Sequence, residues 1–121
     1  MKTIVWEFNG PLTDIKGLRN VDGTVLVTGA SFTHVVDRAY TPVRLSLRLG
    51  TAPVAGVLTV DINDDGVSLG HPVSLIGNKK VADGSSFALD PRIARDSELT
   101  LDFDSIPVGA EDLRVTLELM E

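Results

Sequence analysis

Asp61, Asn63 and Asp65 place side-chain oxygens at alternate positions, and Gly66 follows them. This is the first half of a calcium-loop pattern, with oxygens at positions 1, 3 and 5 and glycine at 6. The pattern needs a bidentate Glu at position 12. Position 12 here is Pro72, and Asp61 and Ile62 end an alternating strand, not a helix. The run reads as a hairpin turn. Asp102 and Asp104 lie two residues apart on one strand and so share a face. Paired carboxylates do acid–base work when their surroundings drive their pKa values apart. Alternation puts both on the wet side of an amphipathic strand, with no burial to shift either. They read as solubilising charges, or as cross-strand partners of Arg44 or Arg48.

The other reactive side chains lack the company that their chemistry requires. His34 and His71 show neither a His-x-x-x-His nor a His-Glu-x-x-His spacing for metal. A serine nucleophile would sit in a Gly-x-Ser-x-Gly elbow, which the sequence lacks. With no cysteine, disulfides, thiolate chemistry and zinc–sulfur sites are excluded. Lys79-Lys80 follow Gly77-Asn78 at a loop tip, without the glycine-rich loop running into a helix that cradles phosphate. Six aromatic residues supply a stacking platform poorly. Trp6 and Tyr40 form one candidate sugar-facing pair, but Ile4 and Phe8 share the Trp6 face and draw it into a core. No catalytic residue, cofactor or metal ligand is expected.

The elements that carry these residues are strands. In Val43-Arg44-Leu45-Ser46-Leu47-Arg48-Leu49 every odd position is apolar and every even one polar. Strand side chains alternate faces, so this strand has one dry face and one wet face. Segments 98–104 and 113–119 alternate likewise, Leu58, Val60 and Ile62 share a dry face, and so do Ile4, Trp6 and Phe8. Dry faces alternating with wet ones imply antiparallel sheet covered on one side. Asp22-Gly23 and Asn63-Asp64-Asp65-Gly66 carry the chemistry of hairpin turns. Only Asp90-Pro91-Arg92-Ile93-Ala94-Arg95 suggests helix, with Asp90 as N-cap and Pro91 at N1. The expected fold is all-β: a single antiparallel β-sandwich over 1–121, jelly-roll-like. It has about eight to ten short strands and at most one short helical turn near 90–96.

The chain has 121 residues, 43% of them apolar, and a net charge of −6. That suits one folded domain with a sizeable core and argues against nucleic acid as a partner. The apolar runs are too short to cross a membrane or to form a signal peptide. Charge is uneven. Residues 1–60 hold six basic and four acidic side chains, and residues 61–121 hold five basic and thirteen acidic. The acidic half reads as a solvated surface, or as one of two complementary patches that meet across a subunit contact.

Four segments carry a resemblance. Leu45-Ser46-Leu47-Arg48-Leu49-Gly50-Thr51-Ala52-Pro53 runs from a strand into a Thr-Ala-Pro loop. Residues 56–66 run from a strand into the Asp61-Ile62-Asn63-Asp64-Asp65-Gly66 hairpin, and 97–106 and 109–117 are late strands. In order and spacing, this stretch from about Val43 to Leu119 resembles a β-sandwich module of tailed-bacteriophage virion proteins. The resemblance implies a non-enzymatic protein of the virion surface, assembled in the host cytoplasm. A lone module points first to a head decoration (cement) protein. Its implied partners are the major capsid protein or other virion proteins, and a homo-oligomer, by analogy a trimer. The alternatives are a tail-tip or fibre adhesin for a host glycan, or a free-standing carbohydrate-binding module. Residues 1–24 lie outside the resemblance. They are expected to dock on a sandwich edge, a neighbouring subunit or the capsid lattice, or else to complete a sheet of their own chain. The candidate interface residues are Trp6, Phe8, Arg44, Arg48, Asp102 and Asp104.

Overall fold

An alternating strand needs partners for its backbone groups and a cover for its apolar face. A computed structural model of the chain describes residues 2–12, 34–76, 79–84 and 92–121. Both needs are met there by two antiparallel sheets. Nine strands are described: β1 (Lys2–Pro11), β2 (His34–Val35), β3 (Thr41–Thr51), β4 (Leu58–Asp64), β5 (Val67–Ser68), β6 (Val73–Leu75), β7 (Val81–Gly84), β8 (Glu98–Ser105) and β9 (Glu111–Met120). The four-stranded sheet runs β1-β9-β3-β7. The five-stranded sheet runs β2-β8-β4-β5, with β6 also on β4.

The dry faces of the two sheets meet in one core. Leu45, Leu47 and Leu49 of β3 are buried against Leu58, Val60 and Ile62 of β4 and their neighbours. Phe8 of β1 meets Phe103 of β8 edge to face, with ring centroids 5.6 Å apart. Gly84 of β7 faces Val73 of β6, where an added Cβ would lie 2.5 Å from Val73 Cγ2. Only a residue without a side chain allows the two sheets to approach so closely there.

Strand β1 completes the four-stranded sheet of its own chain. It pairs with β9 from Lys2↔Leu119 to Phe8↔Leu113. Trp6 is 2% exposed and Phe8 5%. This corrects the assignment of Trp6 and Phe8 to an intermolecular interface: both rings are spent in the core, because β1 presents its apolar face inward like its neighbours. The Asp22-Gly23 hairpin signal lies outside the described residues.

The second hairpin signal matches the structure. β4 and β5 are joined at Asp65 and Gly66, with φ of 50° and 84°. Two successive positive φ values are those of a type I′ turn, whose twist suits a two-residue hairpin. The helical turn expected near 90–96 is absent from the described part of that segment, Arg92 onward; Asp90 and Pro91 lie outside it. Ile93 is fully buried and its backbone exchanges hydrogen bonds with Tyr40, at 2.7 and 3.0 Å. The Ile93 backbone groups are committed to this bridge with Tyr40 and so are not free to close a helical turn.

Candidate functional site

The outward face of the five-stranded sheet brings several carboxyl groups together. Its strands place Asp61, Asp64, Glu98, Asp102 and Asp104 there or at its rim, and carry no Lys or Arg. Alternation on β4 sends Leu58, Val60 and Ile62 inward, so Thr59, Asp61 and Asn63 face outward. The register sets Asp61 directly opposite Asp102 and Asn63 opposite Thr100 on β8. Thr59 pairs with Ser105 and Val60 with Phe103, so Asp104 is the extra residue of a bulge. A bulge bends its strand and re-aims the side chain it inserts.

The carboxyl groups differ in their surroundings. Asp61 is 6% exposed. Its Oδ2 accepts a 2.5 Å hydrogen bond from Ser68, while its Oδ1 is buried without a partner. Burial raises the Asp61 pKa above the ordinary value. The Ser68 and backbone hydrogen bonds pull it down, the Asp102 charge pushes it up, and His71 lowers it. Asp104 is raised by partial desolvation and then by the charges of Asp61 and Asp102. Asn63 Nδ2 donates to Asp102 Oδ2. The expectation of no burial to shift either carboxylate therefore fails at Asp104. The sequence signal was present: Asp61 alternates with buried Val60 and Ile62 on a strand two residues longer than its hydrophobic run, but only the register shows that it meets Asp102.

The pairing of Asp102 or Asp104 with Arg44 or Arg48 is also corrected. The arginines lie on β3, in the other sheet. Arg44 is held by Glu118, at 3.3 Å. Arg48 stands directly opposite Arg114 on β9 and has no ion-pair partner among the described residues. Arg114 turns away to Glu7, its Nε donating to Oε1 at 2.8 Å. Along this row a groove of about 760 Å³ opens between Glu7, Arg48, Lys80, Val81, Asp112 and Arg114. Sequence reading placed Arg48 correctly on a wet face but could not see that its neighbour would be another arginine.

The remaining candidates have structural duties. Asp65, the third oxygen of the calcium-like run, accepts from Glu98 N at 2.8 Å and clamps the turn to β8. Among the described residues no three His, Cys, Asp or Glu side chains are grouped to hold a metal ion. His34 packs edge-on against Trp6, with ring centroids 4.9 Å apart, and burial is the main cause lowering its pKa. Tyr40, buried, donates to Asp37 at 2.7 Å; that bond lowers the Asp37 pKa and raises that of Tyr40. Asp37 also meets Lys2 and Arg38, and Arg38 meets Glu121, so this corner ties both ends of the described chain together.

Neither a known protein-family model nor a curated protein matches the chain.

Proposed function

We propose that this chain is a non-enzymatic structural protein of a tailed-bacteriophage virion, most simply a head decoration protein on the capsid surface. The observation that carries the reading is where the four resembling segments fall. Residues 45–53 run along β3 and out of its end, 56–66 make β4 and its hairpin, 97–106 make β8, and 109–117 enter β9. Strands β3 and β9 are neighbours in one sheet, and β4 and β8 in the other. The matched segments therefore supply adjacent strands of both sheets, as one module would. The partners on this reading are the major capsid protein and further copies of the chain, in a homo-oligomer for which a trimer is the analogy.

The glycan-binding alternatives find less support. Every Trp, Tyr and Phe among the described residues is buried, and sugars and bases are held on exposed aromatic faces. Purified chain added to capsid shells that lack decoration tests the proposal. Saturable co-sedimentation that survives high salt is expected. Failure to bind shells together with binding on a glycan array would replace the proposal with the adhesin reading.

A further inference from the structure

From Leu49 to Val60 and from Ser105 to Ala110 the chain carries no charged side chain. These runs hold two connections that cross between the sheets at the same end of the sandwich: residues 52–57 lead from β3 to β4, and 106–110 from β8 to β9. Their backbones bond to each other. Val54 N donates to Val108 O at 2.9 Å, and Val108 N donates to Ala55 O at 2.9 Å. An added Cβ on Gly109 would lie 2.7 Å from Val54 Cγ2, so the two loops interlock where Gly109 lacks a side chain. The bridge and the interlock fix the loops as one tip. Its valines do not fill the core: Val54 is 80% exposed and Val108 58%. Pro53 and Pro107 have no N–H, and the bridge occupies those of Val54 and Val108. Covering the tip therefore strands few donors.

We infer that the chain docks on the shell through this tip, with Val54 and Val108 seated in an apolar depression of the capsid protein. The inference rests on the virion reading and names the contact that reading requires. Shape and charge select the occupant. A stable protein interface takes about 20–30 residues a side, and a convex tip of two loops offers only a few. Two tips that meet, or a tip on a flat surface, fall far short; a depression encloses both valines. In a homo-oligomer several tips dock at once, and avidity multiplies a weak single contact. A second copy does not supply the depression. Among the described residues, the groove beside Arg48 is lined by Glu7, Asp112 and Arg114, and a smaller pocket by Lys2, Asp37, Arg38 and Glu121. Seating a valine in either would strip water from those charges. A lipid surface is matched no better. Every aromatic ring among the described residues is buried, so the tip has no Trp or Tyr anchor for a headgroup layer, and the net charge of −6 opposes an anionic leaflet. A tip already fixed by its own backbone loses little freedom on docking.

Co-sedimentation of the full chain with undecorated capsid shells reads the contact. Wild type is expected to bind saturably and to stay bound at about 1 M salt, because salt screens charges and not an apolar contact. Val54→Asp and Val108→Asp should each weaken binding about tenfold or more. Val67, 69% exposed on β5, pairs with Asp64 at the far end of β4 and serves as the control. Val67→Asp should bind like wild type. Tip variants that bind as tightly as wild type overturn the inference and leave the virion reading standing. The inference also falls if Val67→Asp loses as much binding as the tip variants, or if about 1 M salt abolishes wild-type binding. A wild type that binds no shells overturns both readings. Val54→Thr and Val108→Thr keep the volume and the backbone bridge while adding a hydroxyl. If an aspartate variant loses its cooperative melt, undiminished binding by this gentler pair overturns the inference equally.

Discussion

Glu7 holds Arg114 and Glu118 holds Arg44 across the four-stranded sheet, whereas the five-stranded sheet sets Asp61 directly against Asp102. The inner faces do not differ in this way: both are aliphatic, with a phenylalanine contributed by each. The core fixes which face of each strand points inward, and within that limit the outer faces are free to differ. A self-neutralised face adds a few tenths of a kcal/mol per pair. An acidic face with a buried carboxylate reduces stability, and the core must offset it.

The largest expected effect tests whether the two sheets share one core. Deleting residues 1–11 removes Ile4, Trp6 and Phe8 and strips β9 of a neighbour. The truncated chain should lose its cooperative thermal transition by circular dichroism. A truncated chain that still melts cooperatively would make β1 a detachable edge. Next in size is the aromatic contact between sheets. Phe8→Ala and Phe103→Ala should each cost about 3–5 kcal/mol in denaturant unfolding. The double variant should show coupling of about 0.5–1.5 kcal/mol, since the rings touch. Strict additivity would mean that the sheets do not meet at this pair.

Much of this architecture is legible in the sequence. The alternation at 43–49 gives Leu45, Leu47 and Leu49 as the inward set, and Asp65-Gly66 gives the hairpin, because both signals are local: one is the period of a strand, the other a backbone conformation that few residues adopt. What lay across from what was not legible. Arg48 opposite Arg114 spans 66 positions, and Asp61 opposite Asp102 spans 41, so no local pattern joins them. The bulge at Asp104 and the Ile93–Tyr40 bridge escaped for the same reason. Trp6 and Phe8 are legible as core residues from the dry face they share with Ile4; the interface assignment follows only from their segment's lying outside the resemblance.

A moderate effect of opposite sign is expected at Asp61. Its pKa and that of Asp104 are raised in the folded chain, so the folded state holds these protons more tightly than the unfolded. Ionising them as pH climbs above the ordinary value of 3.8 therefore removes stability. Asp61→Asn should stabilise the chain at neutral pH by up to about 1 kcal/mol, first by removing a desolvated charge and then by relieving the like-charge pair. The gain should shrink as pH falls toward 3.8. Asp37, lowered by the Tyr40 hydrogen bond, acts the other way: its contribution is present above that pH and is lost in acid. Melting temperatures of wild type and Asp61→Asn across pH 4 to 8 separate the two (roughly the window in which carboxyl shifts are felt). A gain that grows in acid would place the Asp61 carboxylate in a favourable ion pair and remove the contrast between the sheets.

The smallest effect separates two arginines on one strand. Arg44 and Arg48 are four residues apart on β3, both exposed, both outward. Arg44 reaches Glu118; Arg48 faces Arg114. Arg44→Ala should cost about 0.2–1 kcal/mol, the range for an exposed pair, and the cost should fade in high salt. Arg48→Ala should change stability by less than about 0.5 kcal/mol, and in the stabilising direction, because it removes a repulsion and no attraction. Chemical denaturation with urea, which adds no ionic strength of its own, resolves the difference between the variants at low salt. Equal costs at both positions would mean that Arg48 has found a carboxylate within the chain, and the groove would then be as self-sufficient as the rest of its sheet.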